Sequence, residues 1–109
     1  MKFGSLILSR PKELKYKKKR PAIIVNDDSL GRLPLKIIVP VTDWKDRYDV
    51  APWMVKITPN DQNGLSKISC ADCFQIRSVS QQRFILKIGV IDSDELLQIK
   101  DALKKVLDI

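Results

Sequence analysis

Lys17-Lys18-Lys19-Arg20-Pro21-Ala22-Ile23-Ile24-Val25 joins four consecutive bases to a short aliphatic run through a proline. The run is too brief and too β-branched for a helix. It reads as a buried strand, ended by the turn-rich Asn26-Asp27-Asp28-Ser29. Proline biases the residue before it towards extended backbone, so Arg20 is restrained at a strand entrance and its side chain can be aimed. Lysine and arginine neutralise phosphates, and the planar arginine fork can hold two phosphate oxygens together. Read alone, the same run is equally well a solvated basic loop.

Working outward, the remaining apolar pattern is also short and strand-like. Residues 5–9, 35–42, 53–58, 69–79 and 84–90 read as further strands, separated by turn signals such as Pro59-Asn60-Asp61 and Asn63-Gly64. Pro40 lies inside the run at 35–42 and predicts an edge position or a bend there. The C-terminus changes period. Leu96, Ile99, Leu103 and Val106 recur at steps of three and four, with Ala102 and Leu107 widening the stripe. Ser93 fits an N-cap, and Asp94 and Glu95 suit the positive end of a helix dipole. The spacing predicts one amphipathic helix over 93–107 closing a β-rich (α+β) core, built as a small barrel or strongly curved sheet.

Length and composition bound the rest. The 109 residues fit one domain, expected over 1–109. With 44% hydrophobic and 30% charged residues the chain reads as globular rather than disordered. Its net charge is +7, and the whole excess lies in residues 1–20, which hold eight bases and one acid. Residues 21–109 hold twelve of each. A basic loop at about 10–20 therefore carries the charge. No histidine is present, which removes His-based acid/base chemistry and Ser-His-Asp triads. No apolar run approaches the length of a membrane span, so no membrane association is expected. Two cysteines do not make a disulfide scaffold, and a cytoplasmic location is the expectation.

Three further constellations can carry chemistry. Val39-Pro40-Val41-Thr42-Asp43 puts a hydroxyl and a carboxylate where a strand leaves the core, a position binding sites favour, although a simple strand-end cap explains it too. Cys70-Ala71-Asp72-Cys73 invites a metal or redox reading, which the absence of a second pair and the opposite facing of residues three apart in a strand both weaken. Gln75-Ile76-Arg77-Ser78-Val79 alternates polar and apolar, so Gln75 and Arg77 share a face that can reach bases and phosphates. Trp44 and Trp53 can stack on bases, with core packing the expectation for Trp53.

Taken in order, these segments resemble the MazF/PemK family of toxin endoribonucleases. The residues that carry the resemblance are Gly4-Ser5-Leu6-Ile7-Leu8, the basic-Arg-Pro-aliphatic signature at 19–25, Ile38-Val39-Pro40-Val41-Thr42, the Gly64-Leu65…Ser69…Gln75-Ile76-Arg77 stretch, and Lys87-Ile88-Gly89 before the terminal helix. The resemblance implies a small SH3-like β-barrel of the CcdB/PemK/MazF type, assembled as a homodimer. It implies a toxin of a type II toxin–antitoxin pair that cleaves single-stranded RNA without metal or other cofactor, leaving a 2′,3′-cyclic phosphate and a 5′-hydroxyl. An acidic cognate antitoxin is the implied partner. The family's catalytic arginine falls on Arg20 and its strand-end threonine on Thr42, while Lys17, Lys18, Lys19, Asp43, Ser69, Gln75 and Arg77 are the candidate RNA contacts.

The chain departs from the family's pattern at three places. Its loop before Arg20 is shorter, Asp43 follows the threonine where serine is usual, and Phe74 replaces an acidic residue before Gln75. Two alternatives follow: a catalytically weakened relative that only binds RNA or antitoxin, and a gyrase-directed toxin of the CcdB type, against which the Arg-Pro signature argues.

Overall fold

The aliphatic runs at the start of the chain pair with one another and are buried on both faces. The computed structural model describes residues 3–9, 19–30 and 33–109. The strands are β1 Ser5–Ser9, β2 Arg20–Ile24, β3 Leu35–Asp43, β4 Met54–Ile57, β5 Ser69–Asp72, β6 Arg77–Ser80 and β7 Phe84–Val90, followed by helix α1 Ser93–Leu107. All pairings are antiparallel, in the order β4-β5-β3-β2-β1-β7, with β6 also on β3. The expected barrel-like fold is present as a curved sheet that no pairing of β4 with β7 closes among the described residues. Most of the basic loop expected at 10–20, including Lys17 and Lys18, lies outside those residues.

Alternation within β1, β2 and β3 feeds two cores. Leu6, Ile23 and Val39 join Val41, Val55, Ile57, Ile99, Ala102 and Leu103 under the helix. Their chain neighbours Ile7, Ala22, Ile24 and Ile38 pack on the other face with Val79 and Phe84. With apolar demand on both faces, these strands read as continuous aliphatic runs rather than alternating ones.

Pro40 does not mark an edge strand, since β3 pairs with β2 on one side and with β6 and β5 on the other. The Val25 N–H donates to the Ile37 carbonyl at 2.9 Å, and the pairing continues as Ile23↔Val39. By antiparallel alternation, the amide that Pro40 lacks would have pointed away from β2. On that side β6 ends at Ile38↔Arg77 and β5 begins at Val41↔Ala71, so β3 changes partner where it has no donor to offer.

The single strand expected over 69–79 is two strands, β5 and β6, divided by a 3-10 turn at Cys73–Gln75. Asp72 causes the break: its carboxylate accepts the Phe74 N–H at 3.2 Å, an N-cap that diverts the backbone from the ladder. Asp92, not the expected Ser93, caps α1, accepting the Glu95 N–H at 2.8 Å. Ile99, Ala102 and Leu103 are buried as expected, but Leu107 is 48% exposed. Glu95 sits at the buried helix start. One of its carboxylate oxygens accepts the Thr58 N–H at 3.4 Å, and the other has no partner among the described residues. Burial first, then the charge of Asp92, pushes its carboxyl above the usual carboxylate range.

The turn before β5 is braced on β7. Asn63 is fully buried, donating to the Thr58 carbonyl at 2.9 Å and accepting the Leu65 N–H at 3.0 Å. Gln62 in turn accepts the Val90 N–H at 2.9 Å. A Cβ on Gly89 would meet the main chain of Gln62 and Asn63, which cannot yield as a side chain can. Gly89→Ala is therefore expected to cost about 2–3 kcal/mol in urea unfolding, the scale of overpacking a closed site. Glu95→Gln tests the buried acid. A carboxyl raised in the folded state contributes stability below its unfolded pKa and loses it as pH rises through the folded value. The variant should thus gain on the parent as pH is raised from acidic to neutral, read as a growing difference in thermal midpoint.

Candidate functional site

The partner switch on β3 leaves a gap, and the gap is the floor of a groove of about 610 Å³. Ile38, Pro40, Val41 and Thr42 line it from β3, Arg20 and Pro21 from β2, and Arg77 and Ser78 from β6. Tyr48, Met54, Asp72 and Gln75 line the β4–β5 side, and Arg83 reaches it from the 3-10 turn Gln81–Arg83. The register explains each placement. Arg20 pairs with Ser9 at the mouth of β2, Thr42 pairs with Cys70, and Arg77 pairs with Ile38 at the last rung of β6.

Four of the sequence-derived candidates, Arg20, Thr42, Gln75 and Arg77, are brought together here. Gln75 does not share a strand face with Arg77 as expected. It ends the 3-10 turn, and its amide donates to the Asp72 carboxylate at 2.8 Å. Lys19 is exposed just before β2 and is not among the lining residues. Asp43 and Ser69 are also elsewhere. Asp43, one residue past Thr42, faces Lys67 at 3.0 Å, and the buried Ser69 hydroxyl donates to the Lys67 carbonyl at 3.0 Å. The charge of Asp43 is thus spent away from the groove.

Arg83 is the residue the sequence reading missed. Its signal resembled that of Arg20: a base at the entrance of the aliphatic strand Phe84-Ile85-Leu86. Among the described residues no carboxylate pairs with Arg20, Arg77 or Arg83. Asp72, the one acid in the lining, is occupied by the Phe74 N–H and the Gln75 amide. Three guanidinium groups with no carboxylate partner among the described residues thus share the groove with the Thr42 hydroxyl, donors of the kind phosphate oxygens accept from.

The two cysteines are not on one strand either, since Cys73 opens the turn after β5. Both thiols are buried and free, and Cys70 lies 3.2 Å from the Met54 sulfur. Burial, then the charge of Asp72, pushes Cys70 up to about 11 and Cys73 up to about 12. Among the described residues no group of three or more His, Cys, Asp or Glu side chains is placed to hold a metal ion. Trp53, expected in the core, is instead 37% exposed at the groove's edge, packed edge-on against Phe74 with ring centroids 5.8 Å apart.

With this geometry in view, comparison with known proteins is direct. Residues 6–107 match a family described as PemK-like, MazF-like toxin of type II toxin–antitoxin system. The chain is 31% identical over 96 residues to Endoribonuclease MazF9 of Mycobacterium tuberculosis, covering 83% of this chain and 79% of that protein. A MazE-MazF crystal structure from Deinococcus radiodurans (Form-III) shares the fold at a TM-score of 0.79 and 20% identity, over 100% of this chain and 97% of that one. An endoribonuclease in complex with its cognate antitoxin from a mycobacterial species does so at 0.78 and 17%, over 100% and 96%.

The thiols provide a check on the packing beneath the groove. Because the thiolate is the reactive form, neither cysteine should react with a disulfide reagent at mildly alkaline pH while the protein is folded. Both should react within the mixing time once urea unfolds it, followed by absorbance of the released thiolate.

Proposed function

The chain belongs to the PemK-like, MazF-like toxin family of type II toxin–antitoxin systems, and we propose that it is the toxin of such a pair, a metal-independent endoribonuclease that cuts single-stranded RNA at specific sequences. One observation carries the reading: Arg20 and Thr42 line one groove with Arg77 and Arg83, and none of the arginines is neutralised by a described carboxylate.

In the proposed reaction the 2′-hydroxyl of one nucleotide attacks the adjoining phosphorus. The O2′–P bond forms as the P–O5′ bond breaks, giving a 2′,3′-cyclic phosphate and a 5′-hydroxyl. The 2′ proton leaves to solvent and the departing 5′-oxygen gains one, so no oxidant or co-reactant is needed. Negative charge builds on the pentacoordinate phosphorus, and Arg20 supplies a fixed positive charge to meet it. Thr42 donates its hydroxyl to a non-bridging oxygen and holds the line of attack. Arg77 and Arg83 hold phosphates on either side, and Gln75, oriented by Asp72, offers its free amide oxygen to a base edge. The basic run from Lys17 to Lys19 adds attraction towards RNA that salt screens.

The same arginines suit an acidic antitoxin, which would inhibit by covering the groove. Among the described residues β7 pairs with β1 alone and leaves Leu86 and Val90 exposed on a sheet edge, a surface that a second copy in a homodimer would cover. A cytoplasmic site of action fits an RNA substrate.

The test is cleavage of a long single-stranded RNA in the presence of EDTA. The parent should give discrete fragments ending in cyclic phosphate. Arg20→Ala should give none while keeping the parent's thermal midpoint, because its side chain is exposed and outside both cores. Thr42→Ala should slow cleavage about 10- to 150-fold, from losing one hydrogen bond to a charged group worth roughly 1.5–3 kcal/mol. Cleavage by Arg20→Ala at the parent rate would refute the assignment. Binding without fragments in the parent would mark the chain as a non-catalytic relative.

A further inference from the structure

The exposed aromatic pair beside the groove has no structural duty that explains it. Phe74 is 65% exposed and Trp53 37%, and neither belongs to the two cores. Yet both are held firmly. The Cys73 N–H donates to the Trp53 carbonyl at 3.0 Å, and the Phe74 N–H to the Asp72 carboxylate at 3.2 Å. Their rings meet edge-on, at 61° between planes, with the larger exposed area on Phe74. Each is one residue from the groove: Met54 follows Trp53, and Gln75 follows Phe74 in the same turn.

Resting on the ribonuclease reading above, we infer that Trp53 and Phe74 form a base-stacking ledge that seats a nucleobase next to the cleaved phosphate. A single strand offers a chain of anionic phosphates alternating with flat apolar bases. The surface here offers the complement: three arginines for the phosphates and, next to them, a preset aromatic platform for a base. Hydrogen bonds hold the main chain beneath both rings, and the rings pack on each other, which lowers the ordering left to pay on binding. Trp44 contrasts with it. Its face is covered by the Lys56 ammonium at 5.1 Å and its ring meets Tyr48 edge-on at 6.1 Å, so the second tryptophan is engaged within the protein.

The experiment uses Trp44→Phe protein, in which Trp53 is the sole tryptophan, and two oligomers of equal length that cannot be cleaved. One is a 2′-O-methyl oligoribonucleotide of mixed sequence, and the other its abasic counterpart with the same phosphates. The base-bearing oligomer should quench Trp53 emission and bind more tightly than the abasic one. Phe74→Ala should lower its affinity about 5- to 150-fold, the range for one lost stacked base, and leave abasic binding unchanged. Phe74→Tyr should restore it. Equal affinity for the two oligomers, or Phe74→Ala that binds both like the parent, overturns the ledge and leaves the nuclease proposal standing. Phe74→Ala that keeps oligomer binding but no longer holds the antitoxin assigns the pair to protein docking and also overturns it. Failure to bind either oligomer removes the ledge and the RNA reading together.

Discussion

Everything at the site depends on one missing hydrogen-bond donor. An antiparallel strand with a full set of amides can carry a partner along each side without interruption. At Pro40 the amide facing away from β2 is absent, and on that side β6 stops and β5 begins. Two sheets can therefore diverge from one strand without stranding a buried N–H. The space between them is the groove, and the strand end just past the proline carries Thr42 into it.

The arginines reach that floor by a shared local rule. Arg20 and Arg83 each stand at the entrance of an aliphatic strand, and Arg77 begins β6. At such positions the backbone is fixed by the ladder while the side chain still lies at the rim. Positive charge is thereby concentrated without being buried, which avoids the cost of desolvating an unpaired ion. The body of the protein is electrically balanced, so this field is local rather than a property of the whole surface. Asp43, one residue past Thr42, is paired with Lys67 at 3.0 Å outside the groove.

What the sequence disclosed and what it hid follow from the range of the interactions involved. The helix over 93–107 and an irregularity at Pro40 arise from neighbours along the chain and were legible, although Pro40 marks a change of partner and not an edge. The cap was misplaced by one residue because Asp92 and Ser93 are both good caps, and only the path of the chain from β7 decides between them. The strand expected at 69–79 failed because an apolar-polar alternation cannot show that Asp72 will turn its carboxylate back onto the chain. Trp53 was placed in the core on hydrophobicity alone, whereas its exposure depends on the distant turn it packs against. Arg83 carried the same signal as Arg20 without the proline, so nothing local singled it out.

The turn at Cys73–Gln75 explains why these misreadings cluster. With about three residues per turn, consecutive side chains of a 3-10 segment diverge by about a third of a circle. Cys73 goes into the core, Phe74 out to solvent and Gln75 into the groove. One capping carboxylate, Asp72, sets all three directions, and its second oxygen also holds the Gln75 amide. A continuous strand would have sent Cys73 and Gln75 to the same face and could not have served core and groove at once. The acid in an otherwise cationic groove is therefore the condition for the site's shape. Its two hydrogen bonds place the polar amide at the groove and the aromatic ring beside it.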